Sequence, residues 1–239
     1  MKVETIVHPA GAVMANSALV YEDGIKTPRP LLLMSTNWFG MTEEAIERTA
    51  TMIGKKYIGF VVDMYGRGKI TVGRDEASKY ANGLRKDPEE RRSRIVAGLD
   101  AFIEEASARG IGDVTKVAAV GFCFGGGNVL ELARMGAPVG AVICVHGDLL
   151  ATRPAQAGDI SARVLVIHGS LDPVVPKDHR DRFEAEMDEA GAKWQILNFG
   201  GLLHSFAERE ANTPGIEVYD RAAADQTYRM IEDYLDHNL

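Results

Sequence analysis

Short runs of apolar residues recur along the chain, and a stretch with helical spacing separates each run from the next. Continuous apolar runs of this kind are typical of parallel strands that are covered on both faces. The runs are Leu31–Met34, Gly59–Val62, Lys116–Val120, Gly140–Val145, Arg163–Ile167 and Trp194–Leu197. We therefore predict that they form the strands of one largely parallel sheet.

Amphipathic stretches between these runs predict the helices. They span Glu43–Tyr57, Glu89–Arg109, Gly125–Met135, Asp178–Ala190 and Glu217–His237. Because strands alternate with helices, we predict an α/β fold with a mostly parallel sheet and helices on both of its faces. Val3–Val7 and Ser17–Tyr21 predict an additional antiparallel edge. No repeat or linker divides the chain, so we predict a single domain over residues 1–239.

The stretch from Tyr65 to Pro88 does not fit this alternation. It is rich in glycine and basic residues, and its hydrophobic periodicity is weak. We therefore predict a long loop. Loops of this length often carry function, and one interpretation is a segment that covers the substrate pocket. The alternative is a surface insertion without a role.

Composition and charge narrow the range of functions. The chain has 239 residues, of which 46% are hydrophobic and 26% are charged, as expected for a globular protein with its own core. Its 27 basic and 34 acidic residues give a net charge of −7, which argues against nucleic acid as a partner. No apolar run approaches the ~20 residues needed to span a bilayer, so we expect no membrane partner. The first ten residues lack the apolar core of a signal peptide, so we expect a cytoplasmic protein. We expect it to be a monomer or a homodimer.

Cys123 lies in the segment Gly121-Phe122-Cys123-Phe124-Gly125, directly after a predicted strand and before a predicted helix. This is the pattern of a nucleophile elbow, in which two small residues flank the nucleophile because the turn is too sharp for larger side chains. At the N-terminal end of a helix, the partial positive charge of the helix dipole favours a thiolate. The second cysteine, Cys144, lies inside an apolar run, where we predict an inert core residue.

A nucleophile of this kind needs a base and an acid that orients the base. In folds with this elbow, the three residues follow in the order nucleophile, acid, histidine. Asp172 follows the run that ends at Ile167, and His204 follows the next run along the chain. Since the carboxyl ends of parallel strands meet at one edge of the sheet, we predict that Cys123, Asp172 and His204 form a catalytic triad.

The other histidines are weaker candidates for a catalytic role. His168 ends a strand and is predicted to be a structural hydrogen-bonding residue, whereas His146 either lines the substrate pocket or has a structural role. We predict that His8, His179 and His237 lie at the surface. Asp63 closes a strand, and we predict that it braces the following loop. The histidines show no metal-ligand spacing, and two cysteines are too few for a zinc site, so no metal is predicted.

At these residues the sequence resembles the dienelactone hydrolase family of α/β-hydrolases. The resemblance rests on Gly121-x-Cys123-x-Gly125-Gly126, His168-Gly169-x-x-Asp172-Pro173 and His204-x-Phe206, and Asp63-Met64-Tyr65 is similar to the family's Asp-Leu-Tyr. It extends from Leu31 to the last helix. The resemblance implies hydrolysis of a small-molecule ester or lactone without a cofactor, with the backbone N–H groups of Trp38 and Phe124 as the oxyanion hole.

Two positions depart from the characterised members of the family. Those members have a glutamate before the oxyanion loop that helps to ionise the cysteine, and here the matching residue is Asn37, which cannot accept a proton. They also have an arginine four residues after the catalytic histidine that binds the substrate carboxylate, and here that residue is Glu208. We therefore expect a substrate other than dienelactone.

The predicted substrate pocket is formed by Asn37, Tyr65, Arg85, His146 and Glu208. Glu208 would repel an anionic substrate, whereas basic residues of the 65–88 stretch would attract one, and the sequence leaves both outcomes open. Two other functions also stay open. One is a thioesterase; the other is a redox-reactive or ligand-binding protein that has the fold but no hydrolytic activity.

Overall fold

The structure, a computed structural model, describes every residue from Met1 to Leu239. Its strands are β1 Lys2–Ala10, β2 Val13–Tyr21, β3 Arg29–Ser35, β4 Ile58–Val62, β5 Gly112–Phe122, β6 Ala141–Val145, β7 Arg163–Gly169, β8 Lys193–Phe199, β9 Asn212–Thr213 and β10 Glu217–Val218. Its helices are α1 Glu43–Ile53, α2 Gly73–Lys86, α3 Pro88–Ala108, α4 Phe124–Arg134, α5 Lys177–Glu189 and α6 Arg221–Asn238. No helix combines the length and the apolar character that crossing a membrane requires.

Eight strands form one mostly parallel sheet in the order β1-β2-β4-β3-β5-β6-β7-β8, and this confirms the predicted fold class. The predicted antiparallel edge is also present, since β1 pairs with β2 and β2 pairs with β4 in antiparallel register. The chain divides into two compact units, Met1–Ala119 and Val120–Leu239, with the boundary inside β5. The single-domain organisation over residues 1–239 stays a prediction.

In the first unit, helices cover both faces of the sheet. A Cβ atom at Gly59 would lie 2.8 Å from Thr49 of α1, so this residue faces α1. The next residue, Phe60, stacks on Phe102 of α3 with 5.0 Å between ring centroids. Because successive residues of a strand point to opposite faces, α1 and α3 lie on opposite sides of β4.

The 65–88 stretch contains a helix, so the prediction of a long loop was wrong. Helix α2 occupies residues Gly73–Lys86 and buries Ala77, Ala81 and Leu84. These residues have helical spacing, but two of them are alanines, which contribute little to a hydrophobic pattern. Acidic residues in the first turn and basic residues in the last turn are the sequence signal that identifies this helix.

Two further expectations need correction in detail. His8 is buried rather than at the surface. Successive side chains of β1 point to opposite faces, so Ile6, His8 and Ala10 share the covered face, where His8 Nε2 lies 2.9 Å from Ser17 Oγ.

The last helix starts at Arg221 and not at Glu217, because Asp220 caps it by accepting a hydrogen bond from the backbone N–H of Ala223.

A buried ion-pair network links elements of the second unit. The Arg134 guanidinium, at the end of α4, contacts Glu131 at 2.9 Å and Glu186 of α5 at 2.8 Å. It also donates a hydrogen bond to the Leu149 carbonyl oxygen. Glu186 in turn accepts a hydrogen bond from the backbone N–H of Ala155. The network therefore connects α4 and α5 to the segment that follows β6.

Candidate active site

Cys123 lies at a sharp turn between β5 and α4, as the sequence predicted. Its φ is 51°, a left-handed conformation that costs free energy for any residue with a side chain. Its N–H donates to the Val145 carbonyl oxygen at 3.1 Å, and its own carbonyl oxygen accepts a hydrogen bond from Gly126 N–H at 3.0 Å. A Cβ atom at Gly121 would lie 2.1 Å from the Gly125 carbonyl oxygen, so the turn requires glycine there.

Cys144 lies beneath this turn and is fully buried. A Cβ atom at either Gly126 or Gly147 would come within 2.8 Å of the Cys144 sulfur, so the missing side chains of these two glycines make room for it. Burial raises the pKa of the Cys144 thiol to about 12. The structure therefore confirms that Cys144 lies in the core, and its lack of reactivity stays a prediction.

The His204 imidazole connects Cys123 to Asp172. Its Nε2 atom lies 3.1 Å from Cys123 Sγ, and its Nδ1 atom lies 2.7 Å from Asp172 Oδ2. Because an ionised carboxylate oxygen only accepts hydrogen bonds, Nδ1 carries a hydrogen and Nε2 faces the sulfur. The fold thus brings together three residues that are far apart along the chain.

The pKa values of His204 and Asp172 both shift against the direction that burial alone would give. Burial by itself would lower the pKa of His204, but the negative charge on Cys123 and the hydrogen bonds with Asp172 and Cys123 raise this pKa well above its usual value. Burial would by itself raise the pKa of Asp172, but the hydrogen bond and the positive charge of His204, together with the hydrogen bond from the Val175 backbone, outweigh that effect and lower the pKa. The arrangement therefore stabilises a protonated imidazole beside the Asp172 carboxylate.

The loop that carries His204 is held by its backbone and by a buried acid. His204 N–H donates to the Ile216 carbonyl oxygen at 3.1 Å. The next residue, Ser205, has a φ of 51°, and its hydroxyl donates to the Glu208 carboxylate at 3.2 Å. Glu208 is itself buried. No sequence motif indicated the strained Ser205 or its contact with Glu208.

His146 is a neighbour of His204. It is fully buried at the end of β6, with a φ of 39°. Its ring centroid lies 5.4 Å from the His204 ring and 5.4 Å from the Phe206 ring, in edge-to-face geometry at both. His146 therefore packs against the base of the predicted triad.

In the first unit, Asn37, Trp38 and Tyr65 belong to one hydrogen-bonded loop system. The Tyr65 hydroxyl donates to the Trp38 carbonyl oxygen at 3.0 Å, and Thr71 donates to the same oxygen at 3.3 Å. The Asn37 side-chain oxygen accepts a hydrogen bond from Phe39 N–H at 3.0 Å, a local contact that is typical of asparagine in turns. Asn37 therefore has a structural reason to occupy this position.

Asp63 braces this region, as the sequence predicted. Its carboxylate accepts hydrogen bonds from four backbone N–H groups, those of Asn16, Tyr65, Gly66 and Gly68. Such an internal anion holds a turn in which successive N–H groups point inward.

Two arginines lie near opposite ends of α2, and the predicted place of one of them, Arg85, in the substrate pocket stays a prediction. Arg85 lies near the end of α2 and donates to Asn82 at 3.0 Å. Arg74, in the first turn of the same helix, lies over the Trp38 ring at 4.9 Å. No group of three or more histidine, cysteine or acidic residues is arranged to hold a metal ion.

The chain is similar to several known proteins. The family model of the dienelactone hydrolase family matches residues 17–239. The structure of P91, a dienelactone hydrolase-like promiscuous phosphotriesterase from metagenomic libraries, is 30% identical, covers 99% of this chain and 98% of its own, and has a TM-score of 0.90. A structure designated m3DLH is 29% identical, covers 100% of this chain and 98% of its own, and has a TM-score of 0.92.

A relative from Escherichia coli O157:H7 is provisionally named a carboxymethylenebutenolidase. It is 26% identical over 215 residues, which cover 86% of this chain and 76% of the relative. The structural likenesses extend over nearly the whole chain and confirm the predicted α/β-hydrolase fold. The chain belongs to the dienelactone hydrolase family.

Proposed function

We propose that this protein hydrolyses carboxylic esters or lactones through a thioester formed on Cys123. The observation that carries the proposal is the continuous contact from Cys123 Sγ to His204 Nε2 at 3.1 Å and from His204 Nδ1 to Asp172 at 2.7 Å. A nucleophile, a base and a group that orients the base are the parts that acyl transfer requires. Family membership supports the same reaction class.

In the proposed reaction, His204 holds the proton of the Cys123 thiol, and the thiolate attacks the carbonyl carbon. The carbon–sulfur bond forms, the bond to the leaving alcohol breaks, and His204 gives that alcohol its proton. His204 then takes a proton from water, and the resulting hydroxide splits the thioester. The backbone N–H groups of Phe124 and Trp38 are the proposed oxyanion donors, and each such donor typically stabilises the transition state by about 3 kcal/mol.

This proposal does not need a glutamate at position 37. His204 Nε2 lies within hydrogen-bond distance of Cys123 Sγ, so the imidazole can accept the thiol proton directly. Asn37 uses its side-chain oxygen to bind Phe39 N–H. The two departures from the characterised members therefore have different consequences: Asn37 is compatible with an ionised thiol, whereas Glu208 bears on substrate charge.

A panel of short p-nitrophenyl esters, small neutral lactones and acyl thioesters tests the proposal. We expect turnover of at least one class, together with a mass increase on Cys123 equal to the acyl group when the reaction is quenched early. The absence of both turnover and adduct across the panel, with rapid oxidation of Cys123 by peroxide, would instead support the redox-reactive alternative.

Phosphotriester hydrolysis is a second candidate activity. It is favoured by the likeness to P91, which is described as a promiscuous phosphotriesterase and has a TM-score of 0.90 against this chain. Here the thiolate would form a bond to phosphorus while the bond to the leaving phenol breaks, and water would later split the phosphorus–sulfur bond. A p-nitrophenyl phosphotriester in the same panel tests this candidate, since release of p-nitrophenol beyond one equivalent shows turnover.

The substitution Glu208→Gln should change the preference for substrate charge. Glu208 lies four residues after His204 and is only 4% exposed, and solvent screens a charge at such a position poorly. We expect the ratio of kcat/KM for an anionic ester to that for its neutral analogue to rise about tenfold.

The matched control for this substitution is Glu210→Gln, which removes the same charge from an exposed position. Steady-state kinetics of both variants on the two esters give the comparison. If the ratio of kcat/KM for the anionic ester to that for the neutral ester is the same in Glu208→Gln and Glu210→Gln, Glu208 does not determine the preference for substrate charge.

A further inference from the structure

His168 lies near the end of β7 and is completely buried. Its Nε2 atom is 3.0 Å from the Val175 carbonyl oxygen. Since a carbonyl oxygen only accepts hydrogen bonds, Nε2 carries the hydrogen and donates it. We propose that His168 is a positioning residue: its hydrogen bond to Val175 fixes the turn that orients Asp172, and through Asp172 it orients His204. This inference rests on the proposed function, in which Asp172 and His204 take part.

The turn that follows Asp172 is built around its carboxylate. Asp172 Oδ1 accepts hydrogen bonds from the N–H groups of Val174 at 2.8 Å and Val175 at 3.0 Å. Asp172 Oδ2 is then directed to His204 Nδ1. The position of the Val174 and Val175 peptide groups therefore determines how the carboxylate faces the imidazole.

Val175 is the residue that connects His168 to this turn. Its N–H binds Asp172 and its carbonyl oxygen binds His168, so both of its backbone polar groups are engaged. The following residue is Pro176, which restricts Val175 to extended conformations and immediately precedes α5. The segment thus has little freedom while the His168 contact is present, and loss of that contact removes one of the restraints on the turn.

The protonation of His168 agrees with a donor role. Burial lowers the pKa of His168, more than the nearby Asp172 carboxylate raises it, and so favours the neutral ring. A neutral imidazole has one N–H group, and the contact with Val175 uses it. The other ring nitrogen, Nδ1, is buried without a hydrogen-bond partner, which costs free energy that an apolar side chain would avoid. A histidine at this position is thus explained by its donor and not by packing alone.

His168 does not hydrogen-bond to the Asp172 carboxylate directly. Its Nε2 atom is 3.7 Å from Asp172 Oδ2, too far for a hydrogen bond. The effect on the carboxylate is therefore transmitted through the Val175 backbone.

The test compares His168→Phe, which fills the space without a donor, with His168→Gln, whose amide nitrogen can donate from a position similar to Nε2. The main readout is the pH dependence of Cys123 alkylation by iodoacetamide, measured by peptide mass. This readout needs no turnover, so it stays informative if the proposed hydrolysis fails. Peptide mass distinguishes alkylation of Cys123 from alkylation of Cys144, which is fully buried.

If His168 positions Asp172, His204 is a weaker partner for the thiolate in His168→Phe. We expect the midpoint of alkylation to rise by about one pH unit in this variant, and the midpoint in His168→Gln to stay close to that of the wild type. Where an ester is turned over, we expect kcat of His168→Phe to fall about tenfold with KM unchanged. A wild-type midpoint in folded His168→Phe would overturn the proposal, as would equal shifts in both variants.

A measurement on the wild-type protein covers the case in which His168→Phe does not fold. Nitrogen-15 NMR of the imidazole rings assigns the hydrogen of each histidine to Nδ1 or Nε2. We expect a neutral His168 ring with a slowly exchanging hydrogen on Nε2 between pH 6 and 8. A hydrogen on Nδ1, or a ring that becomes charged in this range, would overturn the proposal.

Discussion

The substitution Cys123→Ala is expected to reduce kcat/KM for esters by at least about 10⁴-fold, because it removes the atom that forms the acyl intermediate. Binding of a non-hydrolysable substrate analogue should be almost unchanged, since the loss affects the transition state and not the ground state. Steady-state kinetics on the most reactive ester of the panel, together with calorimetric binding, would measure both quantities. A catalytic rate close to that of the wild type would contradict the proposed mechanism.

Cys144→Ala is the matched control, because it also removes a thiol from the second unit. Cys144 is fully buried beneath the elbow, so its loss leaves a small cavity. We expect the free energy of unfolding to fall by about 1–2 kcal/mol, while the catalytic rate stays within a few-fold of the wild-type value. The pair of variants separates the chemical role of Cys123 from a general effect of losing sulfur.

The second large effect is expected from Gly121→Ala. The added Cβ atom would lie 2.1 Å from the Gly125 carbonyl oxygen and 2.7 Å from Gly126 N. These are backbone atoms in the first turn of α4, so no side chain can rotate away, and the whole turn must move. We expect the free energy of unfolding to fall by more than about 3 kcal/mol, together with loss of ester turnover.

Gly83→Ala is the control for this substitution. Gly83 lies in α2, and a Cβ atom there would meet nothing within 4 Å. Alanine in a helix is more favourable than glycine by about 0.5–1 kcal/mol, so this variant should be slightly more stable than the wild type. Urea unfolding of both variants provides the measurement. Equal stability of Gly121→Ala and the wild type would show that the elbow tolerates a side chain at this position.

Local sequence patterns were sufficient to predict most of the strands and helices. Runs such as Val117–Val120 and Val164–Ile167 are buried on both faces, so they are continuously apolar and easily recognised. The elbow could also be predicted from the sequence. The steric conflict at Gly121 involves residues that are close along the chain, and it permits only glycine at this position. The prediction failed for α2, because its buried face consists mainly of Ala77 and Ala81, whose side chains are too small for a clear pattern.

The sequence by itself determined most of the strands and helices, the elbow around Cys123, and the loops that carry Asp172 and His204, since each depends on interactions between residues close along the chain. Only the tertiary structure decided that His204 contacts both partners, that Arg74 lies over Trp38, and that His8 is buried. These contacts join residues that are separated along the chain. They depend on how helices and strands pack and on which direction each side chain takes, and neither quantity is encoded in a local pattern.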